Sequence, residues 1–98
     1  MSYAVWAEVP IKSEHFEAAC EAVADIVVET RGEAGCHRFE PYRAADGSPT
    51  VLIHERWNDR AAFDFHHAQD YTRAVYRKYE DWLSGPVRIR ELSDLSER

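Results

Sequence analysis

The stretch Thr50-Val51-Leu52-Ile53-His54-Glu55-Arg56-Trp57-Asn58-Asp59 decides the fold of this chain. Val51, Ile53, Glu55 and Trp57 alternate with Leu52, His54 and Arg56, and a period of two among β-branched and aromatic residues marks a strand. Upstream, Gly35 to Arg43 reads as a second strand, and Ala45-Asp46-Gly47-Ser48-Pro49 supplies the turn that makes the two a hairpin. Downstream, Asn58 caps a short helix carrying Phe63, His66 and His67. Asp70 restarts a longer helix with Tyr71, Val75, Tyr79 and Trp82 on one face. Gly85-Pro86 stops that helix, and Val87 to Leu92 forms a last strand.

Farther upstream, Ser13 caps a helix whose stripe of Phe16, Ala19, Cys20, Val23, Ile26 and Val27 fades at Arg31-Gly32. Tyr3 to Val9 alternates as a first strand, which Pro10 ends. The order is β-α-β-β-α-β, an α+β ferredoxin-like arrangement with helices over one face of a four-stranded antiparallel sheet. Val5, Ala7, Val51, Ile53, Val87 and Ile89 belong under the helices. The opposite face mixes Trp6, Tyr42, Leu52 and Leu92 with Arg38, Glu40, His54, Arg56, Arg88 and Arg90, a composition suited to a sheet-to-sheet homodimer.

Ninety-eight residues fit one domain, 1–98, with residues 93–98 as a loose polar tail. The composition, 45% hydrophobic and 31% charged, is that of an ordinary globular protein. A net charge of −6 argues against nucleic acid as partner, because such binding needs Lys and Arg to neutralise phosphates. Arg73, Arg77, Lys78, Arg88 and Arg90 read as solvated faces. No apolar run approaches the ~20 residues of a membrane span, and the start Met1-Ser2-Tyr3-Ala4-Val5-Trp6 lacks the basic flank of a secretory signal. Two cysteines, Cys20 and Cys36, make no disulfide framework and no zinc spacing, so a cytoplasmic setting is expected.

Three segments carry a family resemblance. Glu33-Ala34-Gly35-Cys36-His37-Arg38-Phe39 resembles the second strand of antibiotic biosynthesis monooxygenase domains, and Val51 to Asp59 resembles their third. Ala62-Phe63-Asp64-Phe65-His66 follows at the family's spacing, its histidine nine residues after Trp57. The resemblance implies a dimeric α+β barrel, two sheets face to face, with a pocket in each subunit between sheet and helices. It also implies activities that range from cofactor-independent oxidation of quinols and polyketide phenols to haem degradation and sugar isomerisation. Fold sets an expectation for these and establishes none. The haem-degrading branch uses a first-strand asparagine, whereas Asn58, the only asparagine here, starts a helix.

Glu55 shares the helix-covered strand face with Val51, Ile53 and Trp57, and a carboxylate there needs a partner. His66 on the following helix is one candidate, and the pair would make an oriented imidazole base. The alternative is Glu55 paired with an arginine and His66 filling a gap. Trp57, Phe63, Phe65 and Tyr71 surround that histidine in sequence and either line a flat aromatic pocket or belong to the core. His15, His37, His54 and His67 read as surface or interface residues. Adjacent His66 and His67 point about 100° apart, which excludes an i, i+4 metal pair. No glycine-rich phosphate loop or dinucleotide fingerprint appears, so no bound cofactor and no metal are expected. The expected activity is a cofactor-independent monooxygenase using molecular oxygen on a small phenolic or quinol-like substrate, with His66 as base and Glu55 tuning it. An isomerase of a small hydroxyketone and a non-catalytic dimeric binding or stress-response module are the alternatives.

Overall fold

A computed structural model of the chain describes residues 2–97. The signal reading begins on Met1 and the tail reading ends on Arg98, and both residues lie outside the described ones. Strand β1 (Tyr3–Pro10) buries Val5, Ala7 and Val9 on alternate positions. It runs antiparallel to β3 (Thr50–Trp57) along its whole length, from Tyr3 opposite Trp57 to Pro10 opposite Thr50. Strand β2 (Cys36–Arg43) pairs with the other edge of β3, with a register shift between Cys36 and Arg38. The turn between them places Gly47 at φ 85°, the left-handed region where a side chain would be strained. Strand β4 (Arg88–Leu92) pairs with β1, giving the order β2-β3-β1-β4.

The expected helix from Ser13 to Gly32 is divided. A 3₁₀ turn over Ser13–His15 leads into α1 (Phe16–Ala24), and α2 (Val27–Arg31) follows. Between them the Ile26 amide reaches Val23 O at 3.2 Å, three residues back rather than four. That tighter turn interrupts the α-helical ladder. Ile26 and Thr30 stay buried on the sheet side of the break. Lys12, not Ser13, holds the cap position, and no side chain caps there.

Helix α3 (Arg60–Ala68) is capped by Asp59, whose Oδ1 accepts from Ala62 N at 2.8 Å. Asn58 was the expected cap, but its Oδ1 is engaged by the His37 ring and its backbone N–H donates to Gly35 O. Helix α4 (Asp70–Trp82) buries Thr72, Val75 and Tyr79. Its end is tied to the start of the chain by Lys12 N to Trp82 O, 2.8 Å, and Ser84 N to Pro10 O, 3.1 Å.

The last strand starts at Arg88 rather than Val87. Ile89, expected under the helices, is 43% exposed because β4 is an edge strand on which every residue is solvent-accessible. The polar tail carries a 3₁₀ turn, Leu95–Glu97, and Asp94 pairs with Arg56 at 3.3 Å. Among the described residues no helix is long and apolar enough to cross a membrane.

Candidate active site

Strict alternation along β3 puts Val51, Ile53, Glu55 and Trp57 on the buried face and Leu52, His54 and Arg56 on the other. That parity carries a carboxyl into the core: Glu55 is 4% exposed. Its Oε1 accepts from Trp57 Nε1 at 3.0 Å, two residues along the same face. Burial pushes the Glu55 carboxyl up to about 7; the Trp57 N–H restrains the shift and the nearby Glu33 charge adds to it.

His66, 3% exposed, projects from α3 toward the same region. Its partner is Glu33 rather than Glu55: Nδ1 lies 2.9 Å from Glu33 Oε2, with both side chains almost wholly buried. The expected Glu55–His66 pair is not formed, because Trp57 takes the Glu55 oxygen and the loop after α2 delivers a second carboxylate. Gly35 explains that delivery. A Cβ there would stand 2.5 Å from Ala62 Cβ, so only glycine lets the 32–35 loop sit against α3. The same Glu33 Oε2 accepts from the Tyr71 hydroxyl, and Thr72 Oγ1 lies 3.4 Å from His66 Nδ1. Glu33 Oε1 is buried with no protein partner among the described residues.

A carboxylate on Nδ1 selects the tautomer with the proton on that nitrogen. Nε2 is then an acceptor, and it has no hydrogen-bond partner among the described residues. Burial lowers the His66 pKa, against an upward pull from Glu33, so the ring is neutral at neutral pH.

The remaining candidates divide. Trp57, 0% exposed, backs the site, its ring centre 4.9 Å from that of His66. Phe63 is core, packed on Tyr3 at 5.2 Å and on His67 at 4.4 Å. Tyr71 serves Glu33 as described. Phe65 is 58% exposed and touches none of this; it sits about 200° round the helix from Phe63.

A narrow cleft between sheet and helices runs past these groups, with about 30 Å³ of free space. Its polar lining is Glu55, His66, His67, Thr72, Tyr76 and Tyr79, and the ring of Phe39 with aliphatic side chains of the sheet and helices completes it. A space of that size has room for one or two waters, so an aromatic ring enters only as side chains shift outward. His67 Nδ1 donates to Phe63 O at 3.0 Å, which leaves Nε2 to accept from Tyr76 OH at 3.3 Å. Tyr76, Tyr79 and His67 are lining residues that the sequence reading did not select, although Tyr79 lay on the apolar stripe of α4. Glu33 was likewise missed as a partner, although it opens the first motif that carries the family resemblance. Among the described residues no group of three His, Cys, Asp or Glu side chains is placed to hold a metal ion.

Residues 2–78 match the family Antibiotic biosynthesis monooxygenase, and the chain belongs to that family. It is 30% identical over 81 residues to the uncharacterized protein sll1783 of Synechocystis, covering 83% of this chain but only 53% of that one, about half its length. It is 26% identical over 90 residues to the protein named "Putative monooxygenase YcnE" of Bacillus subtilis, covering 90% of this chain and 95% of that one. The solved structure of Rv0793 from Mycobacterium tuberculosis superposes with a TM-score of 0.88 at 25% identity, over 97% of this chain and 96% of that one. The ferredoxin-like α+β fold expected from the sequence is therefore the observed one.

Proposed function

We propose that this chain is a monooxygenase that works without a cofactor on a small phenolic or quinol-like compound, with His66 as its base. The observation that carries the reading is the Glu33–His66 hydrogen bond of 2.9 Å at a cleft wall. It fixes the imidazole and leaves Nε2 to take a proton. Family membership and the name of the Bacillus relative support the reaction class.

In the proposed reaction His66 removes a hydroxyl proton, and the electron-rich anion reduces molecular oxygen. The resulting peroxy intermediate on the substrate collapses to a carbonyl. The substrate loses two hydrogens, one oxygen atom enters the product and the other leaves as water. Glu33 stabilises the imidazolium while it holds the proton. The aliphatic lining keeps water from the intermediate. Trp57, Phe63 and Tyr71 act from behind, as supports for His66, His67 and Glu33 respectively.

The outer face of the sheet, with Tyr42 51% and Leu92 38% exposed beside half-buried Trp6 and Leu52, is proposed to pair with a second copy of the chain. Sedimentation at micromolar concentration gives a dimer on this reading, and a monomer sinks it. Two free cysteines suit a reducing compartment such as the cytoplasm.

The test is a panel of quinols and phenols assayed with and without air, using wild type and His66→Ala. Product that forms only with oxygen and is lost in the variant supports the proposal. Oxygen-independent turnover indicates proton-transfer isomerisation instead. No turnover, with ligand binding unchanged in the variant, indicates a binding module.

A further inference from the structure

With His66 as the proposed base, Glu55 is left without a task. Glu55 lines the same cleft, yet it is almost fully buried and forms no salt bridge to any described residue. The titratable groups around it supply no fixed positive charge. They are His66 and His67 on α3, Tyr76 and Tyr79 on α4, Cys36 on β2 and Glu33 in the loop after α2. Glu33 is itself acidic, and both imidazoles have Nδ1 engaged elsewhere. Arg88 and Arg90 belong to the opposite face of the sheet. A carboxylate in such surroundings is disfavoured against the neutral acid.

In the neutral acid, the one hydrogen bond that Glu55 forms among the described residues decides which oxygen carries the proton. Oε1 accepts from Trp57 Nε1 at 3.0 Å, which suits the carbonyl oxygen of a carboxylic acid. The hydroxyl is then at Oε2, which has no partner among the described residues. An acid O–H with no acceptor, on the wall of a largely aliphatic cleft, is a donor waiting for an oxygen from outside.

We infer that Glu55 acts as a neutral hydrogen-bond donor in the cleft and selects aromatic ligands that carry an accepting oxygen, a ketone or quinone carbonyl, over hydrocarbons of the same shape. This deepens the proposed function by naming a second recognition point on the substrate. It relies on that reading only in placing the ligand in this cleft. The preference lasts while the acid stays protonated, and its pKa near 7 places the change within reach of ordinary buffers.

The experiment is equilibrium binding of 1-tetralone and tetralin to the full chain at a pH about one unit below and about one and a half units above the Glu55 pKa. In wild type the tetralone-to-tetralin affinity ratio falls about tenfold from the lower to the higher pH, as a good hydrogen bond is replaced by repulsion between two oxygens. Glu55→Gln, whose amide still donates, keeps the high ratio at both values. Glu55→Leu gives the low ratio at both. His66→Ala retains the wild-type pH response, so loss of turnover in that variant bears on the base and not on this donor. A ratio that ignores pH in wild type, a ratio that survives in Glu55→Leu, or no binding of either ligand overturns the inference.

Discussion

The indole of Trp57 lies 4.9 Å from the His66 imidazole, centre to centre and tilted by 31°, so one buried ring backs the proposed base. The same indole gives its N–H to Glu55. Trp57 thus supports two chemically distinct groups of one cleft without lining it, and each can be perturbed separately.

Trp57→Phe removes the N–H and leaves a small void. The expected cost is about 2–3 kcal/mol in denaturant unfolding, part cavity and part lost hydrogen bond. The Trp57 N–H holds the Glu55 pKa down, so its loss moves the carboxyl upward from about 7. A ¹³C NMR titration of the Glu55 carboxyl checks this, and an unchanged midpoint would refute the pairing.

Stability should carry the signature of Glu55. Its pKa rises from the usual 4.5 to about 7 on folding. The folded state therefore holds the proton more tightly, and this contribution is complete below the unfolded value and lost as pH climbs through about 7. The amount is on the order of 3 kcal/mol. His66, lowered on folding, acts in the opposite sense: its contribution is present above its unfolded pKa and is lost as pH falls through the lowered one. Comparing wild type with Glu55→Gln by urea unfolding from about pH 5 to pH 9 separates the two, since only the carboxyl disappears. Parallel curves would mean that Glu55 is ionised in the fold.

Much of this arrangement was legible in the sequence. Alternation placed β3 at Thr50–Trp57 and put Glu55 and Trp57 on one buried face, because a strand's parity depends only on its own residues. Glu33 was harder to see. It lies in a loop without periodicity, and its contact with His66 depends on Gly35 passing close to Ala62. Phe65 was chosen for nearness in sequence to His66, whereas helical geometry turns it outward. The break before Ile26 leaves no mark in a stripe whose apolar spacing continues across it.

Gly35→Ala tests the approach of the loop to α3. The new methyl would meet Ala62 Cβ at 2.5 Å, and neither small side chain can swing away. A loss of roughly 1–3 kcal/mol is expected, with the His66 and Glu33 NMR signals shifted. Gly35→Ala/Ala62→Gly should recover much of both. Wild-type stability in the single variant would show that the loop is free to move.

Glu33→Gln keeps the shape and removes the charge. Because Glu33 raises the His66 pKa against burial, the variant's imidazole should titrate lower still. Turnover on the active quinol should fall roughly 10²-fold. Unaltered His66 titration would detach Glu33 from the base.

The most direct measurement is the protonation of the two His66 ring nitrogens, read by long-range ¹⁵N–¹H correlation at neutral pH. The Glu33–His66 pair predicts a neutral ring with hydrogen on Nδ1 and none on Nε2, a preference weakened in Glu33→Leu, which removes the acceptor. Hydrogen on Nε2 with a bare Nδ1, or a ring protonated on both nitrogens at that pH, would contradict the account of His66 as a poised base.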